Sequence, residues 1–227
     1  MMYYYITDYG ILIVTVLITL IAQAFVSSSY SKYKKVKNKK GVTGAEVARE
    51  ILAKNGLENI YVVEVAGNLT DHYDPSRKTV RLSKDIYNGT SVAAIAVASH
   101  ECGHAIQDKE NYTFLKIRAA LVPLVNFSSV AGYIAILIGI LFSSLQLFWI
   151  GILLEAVILV FQLVTLPVEF NASNRALKKI EEYDLVDLEE LTGAKKMLRA
   201  AAFTYVASAA TALLQILRLI LIARDRD

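Results

Sequence analysis

A single cysteine, Cys102, leaves the chain without an internal disulfide and says little about its redox compartment. Basic residues are absent from the first 31 positions, so the charged start of a cleaved signal peptide is missing. Ala22-Gln23-Ala24 offers a small-residue cleavage pattern, but the lysines come after it, at 32, 34, 35, 37, 39 and 40. Lysines stay on the cytoplasmic side, so this first apolar segment is expected to remain as an anchor with its N-terminus outside. The lysine run abuts that span and lacks interleaved aromatics. That argues against nucleic acid and for anionic lipid headgroups as its neighbours.

Charge is also scarce further along. Residues 119–168 carry one charged side chain, Glu155. Hydrophobic residues make up 55% of the chain, and mean hydropathy is +0.44, above the usual soluble range. Three apolar regions account for this: 6–26, 119–168 and 200–222. The first and last are each long enough to cross a bilayer once. The middle one suits two spans joined by a turn near Ser143-Ser144-Leu145-Gln146. The expected organisation is therefore an anchor (6–26), a polar module (27–118), a helical hairpin (119–168), a charged segment (169–199) and a last span (200–222). Glu155 and Arg218 lie at similar depths counted along their spans, which suggests an ion pair.

Histidine is scarcer still, three in 227 residues, yet two of them stand in His100-Glu101-Cys102-Gly103-His104. A random chain of this composition would contain His-Glu-x-x-His roughly 0.2% of the time. On a helix, His100 and His104 share one face about 6 Å apart along the axis, suited to two nitrogens binding one tetrahedral zinc. Glu101 lies about 100° further round. There it reaches a zinc-activated water as general base without ligating the metal. The preceding run 92–98 is apolar nearly all round, so the helix is expected to be buried, and buried imidazoles need partners. Cys102, at a position with no ligand role, reads as a small buried side chain.

Between the anchor and the hairpin, Thr43-Gly44-Ala45-Glu46 is a capping box that opens a helix closed by Gly56. Residues 60–65 and 79–83 read as strands, and Asp74-Pro75 between them as a turn. Thr90 or Ser91 is expected to cap the zinc helix. The segment 169–199 suggests two helices on the cytoplasmic side. Thr192-Gly193-Ala194 looks like the start of a helix running into the last span.

Two histidines leave a ligand position to fill. Glu110 falls at the spacing of a metzincin-type third ligand, but Gln107 stands where such sites use glycine. His72 is chemically apt, and Glu155 lies inside a span. Glu169 is the preferred third ligand, because two crossings between 119 and 168 return the chain to the side holding His100. Ser173, one turn beyond Glu169, is placed to orient a ligand. Arg175 and Tyr205 are candidate donors to an oxyanion, each with a structural alternative as ion-pair and packing residue.

Residues 100–107 (His-Glu-Cys-Gly-His-Ala-Ile-Gln), 69–75 (Leu-Thr-Asp-His-Tyr-Asp-Pro), 80–83 (Val-Arg-Leu-Ser) and 169–173 (Glu-Phe-Asn-Ala-Ser) together resemble the bacterial membrane zinc metallopeptidases of the YugP type. The resemblance covers nearly the whole chain. More distantly the sequence is similar to the HtpX and CAAX prenyl protease superfamily, whose Glu-x-x-Ala-Asp motif supplies a zinc ligand. That implies the same role for Glu169. The departure is Ser173, where those relatives have Asp, and a neutral hydroxyl orients an imidazole more weakly than a carboxylate.

The expected fold is an α-helical membrane protein with about four transmembrane helices and a small α+β zinc-protease module of gluzincin type. The expected activity is that of a multi-pass cell-membrane zinc endopeptidase with its active site on the cytoplasmic side. It would hold one Zn2+ per chain on His100, His104 and Glu169, act on peptide or membrane-protein substrates, and bind no nucleic acid. Two rivals are an inactive zinc-holding membrane scaffold and a zinc hydrolase of non-peptide amides. Glu101 argues against the first, since holding zinc does not require it. An edge strand beside the zinc helix would favour peptide, and 79–83 is the candidate: the backbone of Val80, Arg81 and Leu82 would pair with an extended substrate.

Overall fold

The computed structural model describes residues 2–224, with 2–8 as backbone only. The chain is mostly helical, with four long helices: α1 (Met2–Tyr33), α5 (Thr113–Leu141), α6 (Leu145–Glu182) and α7 (Leu188–Arg224). Each contains an 18-residue window with mean hydropathy of 2.0 or more, long and apolar enough to cross a membrane. Their number matches the four spans expected from composition. Between α1 and α5 lie α2 (Gly44–Lys54), β1 (Tyr61–Val65), β2 (His72–Asp74), β3 (Thr79–Ser83), α3 (Lys84–Tyr87) and α4 (Val92–Lys109).

Two compact units divide the chain. One takes residues up to Gln23, Lys116–Pro167 and those from Thr204. Its packed cluster is small, Phe148, Ile152, Leu219 and Ala223. Many large apolar side chains there face outward, among them Val130, Leu141 and Leu153. Such a surface is tolerable in lipid and not in water. Gly139 lets α5 approach α6 closely: a Cβ there would lie 2.8 Å from the Phe148 nitrogen. Glu155 forms no ion pair among the described residues, so the expected link to Arg218 is not made. Its carboxylate instead lies against Gly132 of α5.

The other unit, Ala24–Leu115 with Val168–Phe203, holds the larger core and the His-Glu-x-x-His motif. The capping box forms as expected: Thr43 Oγ1 accepts from the Glu46 N–H at 3.2 Å, and the Thr43 N–H donates to Glu46 Oε2 at 2.7 Å. Ser91 rather than Thr90 caps α4, accepting from the Ala94 N–H at 3.1 Å. Residues 93–96 and 98 are fully buried, so α4 is the axis of this core. Lys34, Lys39 and Lys40 of the basic run pair with Asp85, Asp187 and Asp184.

Three expectations need correction. Strand 79–83 is not an edge. The sheet order is β1-β3-β2, with β1 parallel and β2 antiparallel to β3. Val80 and Leu82 are fully buried, the backbone of Val80 and Arg81 is flanked by strands on both sides, and Leu82 pairs with Glu64 of β1. The strand overlooked, His72–Asp74, is three residues long and ends at Pro75, too short for alternation to register. The segment 169–199 is not a pair of separate helices either. The first part continues α6 through Pro167, and the second opens α7. Finally, α7 begins before Thr192-Gly193-Ala194. Asp187 and Glu190 cap it reciprocally, with the Glu190 N–H on Asp187 Oδ1 and the Asp187 N–H on Glu190 Oε2.

Candidate metal centre

Helix α4 displays His100 and His104 one turn apart, and α6 brings Glu169 to the same place. Glu169 Oε2 lies 3.3 Å from His100 Nε2 and 3.6 Å from His104 Nε2. One ligand atom from each of the three lies within 4.8 Å of the others. Among the described residues this is the one group of three or more His, Cys, Asp or Glu side chains so arranged. Glu169 is 2% exposed and His104 9%. A carboxylate and two imidazoles gathered at such depth call for a common partner.

The close approach of α4 and α6 depends on Gly103. A Cβ at that position would meet the Ala172 carbonyl oxygen at 2.5 Å. The glycine inside the motif thus lets the helix carrying two candidate ligands touch the helix carrying the third.

Each imidazole is held from behind. Ser173 Oγ lies 3.2 Å from His100 Nδ1. Gln107 Oε1 lies 3.0 Å from His104 Nδ1. Its amide nitrogen donates to the Val168 carbonyl at 2.8 Å and to Asn171 Oδ1 at 3.0 Å. Because both donors of that amide are used on acceptors, its oxygen must face the ring. His104 is then the tautomer with hydrogen on Nδ1 and a lone pair on Nε2, directed toward the three-residue cluster. Gln107 was missed as a supporting residue. The available signal was a polar side chain three residues after His104 on an otherwise buried helix.

Burial opposes a charged His104, but the Glu169 carboxylate beside it, together with Glu101 and Gln107, outweighs this and raises its pKa. Burial pushes the Cys102 thiol up, and its Sγ contacts the Ala48 carbonyl at 3.6 Å, so Cys102 is a packing residue between α4 and α2. Glu101 is buried next to His100 and lies outside the three-residue cluster.

The other candidates are engaged elsewhere. Glu110 pairs with Arg175 at 2.6 Å, and Arg175 Nε donates to Asn171 at 2.6 Å, so this arginine braces α6 against the end of α4. His72 is exposed on β2 with its Nδ1 2.8 Å from the Thr70 carbonyl oxygen. Glu155 and Tyr205 belong to the other unit.

A family model described as "Putative neutral zinc metallopeptidase" matches residues 9–224. The chain belongs to this family. It is also similar to the "Putative membrane protease YugP" of Bacillus subtilis (strain 168), with 49% identity over 201 residues, 88% of this chain and 89% of that one. No solved structure was found to match. For a zinc metallopeptidase the donor set fits. Ligand atoms about 2.0–2.1 Å from a tetrahedral zinc stand about 3.3 Å from each other. The two Nε2-to-carboxylate distances of 3.3 and 3.6 Å are close to that value.

Proposed function

We propose that this protein is a membrane-embedded zinc endopeptidase whose active site faces the cytoplasm. Zinc would be held by His100 Nε2, His104 Nε2 and a Glu169 carboxylate oxygen. The observation that carries this reading is the convergence of those three donors within 4.8 Å, with Glu169 Oε2 3.3 and 3.6 Å from the two Nε2 atoms and Glu101 buried beside the first of them.

When bound, zinc supplies a Lewis acid that acidifies water and polarises the peptide carbonyl. Glu101 takes the proton of the attacking water and then delivers it to the departing amine nitrogen. Gln107 and Ser173 fix the two imidazole rings, so the site is organised before substrate arrives. Arg175, committed to Glu110 and Asn171, takes no part in stabilising the oxyanion.

An extended substrate would lie along β2 rather than β3. β2 is the sheet edge packed against α4, and Tyr73 ties it there through its hydroxyl to Asp108 Oδ2 at 2.8 Å. An edge backbone of this kind suits peptide. The cytoplasmic orientation rests on charge: no Lys or Arg occurs before Lys32 or between Arg118 and Arg175, whereas both segments flanking the site are rich in them.

The test is cleavage of unfolded casein by the purified detergent-solubilised protein, stripped of metal by a chelator and then given one equivalent of zinc. Cleavage should vanish and return. Undiminished cleavage by the stripped protein refutes the proposal.

A further inference from the structure

A second site lies away from the metal centre, where the end of α1 meets the start of the apolar part of α7. A cavity of about 300 Å³ there is lined by Phe25, Ser28, Ser29, Lys32, Lys196 and Arg199, with Tyr33 completing the wall. On α1 the positions 25, 28, 29 and 32 recur at helical spacing, so they share one face. On α7 the positions 196, 199 and 203 do the same, and Phe203 meets Phe25 edge-on with ring centroids 5.8 Å apart. Because α1 leaves its apolar stretch as α7 enters its own, the two stripes match in order. Both run from an aromatic pair to cations, with serine hydroxyls between them on α1.

Charge decides what this gradient suits. Three cations line the cavity and no carboxylate does. Lys34, Lys39 and Lys40 each have an aspartate partner. Among the described residues Lys32, Lys196 and Arg199 form no ion pair, and the Lys32 ammonium rests 5.5 Å from the Tyr33 ring centroid. A neighbouring hollow of about 440 Å³ shares Lys32 and Lys196 but also contains Glu189 and Glu190. That makes the narrower cavity the anion site.

We propose that this cavity binds the headgroup of an anionic phospholipid. The phosphate would sit among Lys32, Lys196 and Arg199, the glycerol oxygens near Ser28 and Ser29, and the start of an acyl chain against Phe25 and Phe203. The assignment is independent of peptidase activity. It gives Lys32, the first lysine of the basic run, a defined partner in place of diffuse attraction to the membrane surface.

The experiment is native mass spectrometry of the full chain in detergent, with equimolar phosphatidylglycerol and phosphatidylcholine of matched acyl chains. One phosphatidylglycerol should be retained in preference. Each cation near an anionic headgroup is worth about fivefold in affinity, so Lys32→Gln, Lys196→Gln and Arg199→Gln combined should lose on the order of a hundredfold. Each of the three single variants should lose about fivefold, which covers a triple variant that misfolds. Lys35→Gln, Lys84→Gln and Lys195→Gln combined, removing equal charge outside the cavity, should retain the lipid. Equal retention of phosphatidylcholine, an equal loss in the control triple, or unchanged binding in all three singles overturns the proposal. Displacement of the lipid by inorganic phosphate at matched concentration would instead show a free-phosphate site, and that also overturns it.

Discussion

Gly103→Ala tests the idea that the metal centre is built by two helices in near contact. The new methyl carbon would stand 2.5 Å from the Ala172 carbonyl oxygen, 3.1 Å from its carbon and 3.2 Å from its Cα. All three are backbone atoms, so no side chain can swing away. Ordinary contact begins at 3.4 Å, and α4 and α6 must therefore part by about 0.9 Å; overpacking of this kind costs about 1–3 kcal/mol. The consequence for metal is larger than for stability. Ligand distances tolerate only about 0.2 Å, and separating the helices moves Glu169 away from both imidazoles by several times that. Zinc affinity should fall by on the order of 100-fold, the upper end for disturbing the support of a metal ligand. Competition with a chromophoric chelator measures the affinity, and thermal unfolding in the same detergent measures stability. Gly10→Ala is the control, since nothing lies within 4 Å of a Cβ there. If Gly103→Ala binds zinc as tightly as the unsubstituted protein, the close approach is not what assembles the site.

Three further outcomes follow from named contacts. Gln107→Ala removes the acceptor on His104 Nδ1 and the side-chain bond that ties α4 to the Val168 carbonyl of α6, so zinc affinity should drop about 10- to 100-fold, measured by the same competition. The raised His104 pKa means that in the metal-free protein protonation contributes stability below the unfolded value of 6.5 and that contribution is lost as pH rises through the higher folded value. Zinc must displace that proton, so its affinity should weaken roughly tenfold per pH unit below the folded value, and a flat pH dependence down to pH 6 would refute this. Glu155→Gln should change the melting temperature of the detergent-solubilised protein by less than about 2 °C, because no ion pair is lost. A larger fall would mean that its charge has a partner after all.

Much of the fold was legible because membranes impose a strong rule: long uncharged runs became α1, α5, α6 and α7. The capping box at Thr43 and the cap at Ser91 were also readable, since each is a local exchange between a side chain and the next turn. The sheet was not. Strand β2 is three residues long, and the order β1-β3-β2 depends on pairing between segments that no local pattern specifies. That is why Val80, Arg81 and Leu82 were assigned to an edge they do not occupy. At the candidate centre, His100, Glu101 and His104 announce themselves by spacing. Glu169 needed the count of membrane crossings and a family resemblance. Gln107 escaped notice because its role comes from packing against α6, 61 residues away in sequence. The expected helix start at Thr192 failed because Asp187 and Glu190 form a capping box earlier in the chain.

The most direct test of the account is Glu101→Gln, purified and assayed for bound zinc and for casein cleavage in the same sample. Glu101 lies beside the proposed ligands but is not one of them, so one zinc per chain should remain. Removing the general base should lower cleavage about 10²- to 10⁴-fold. Cleavage at the unsubstituted rate with zinc bound would contradict the proposed chemistry, and loss of zinc from this variant would make Glu101 part of the metal site itself.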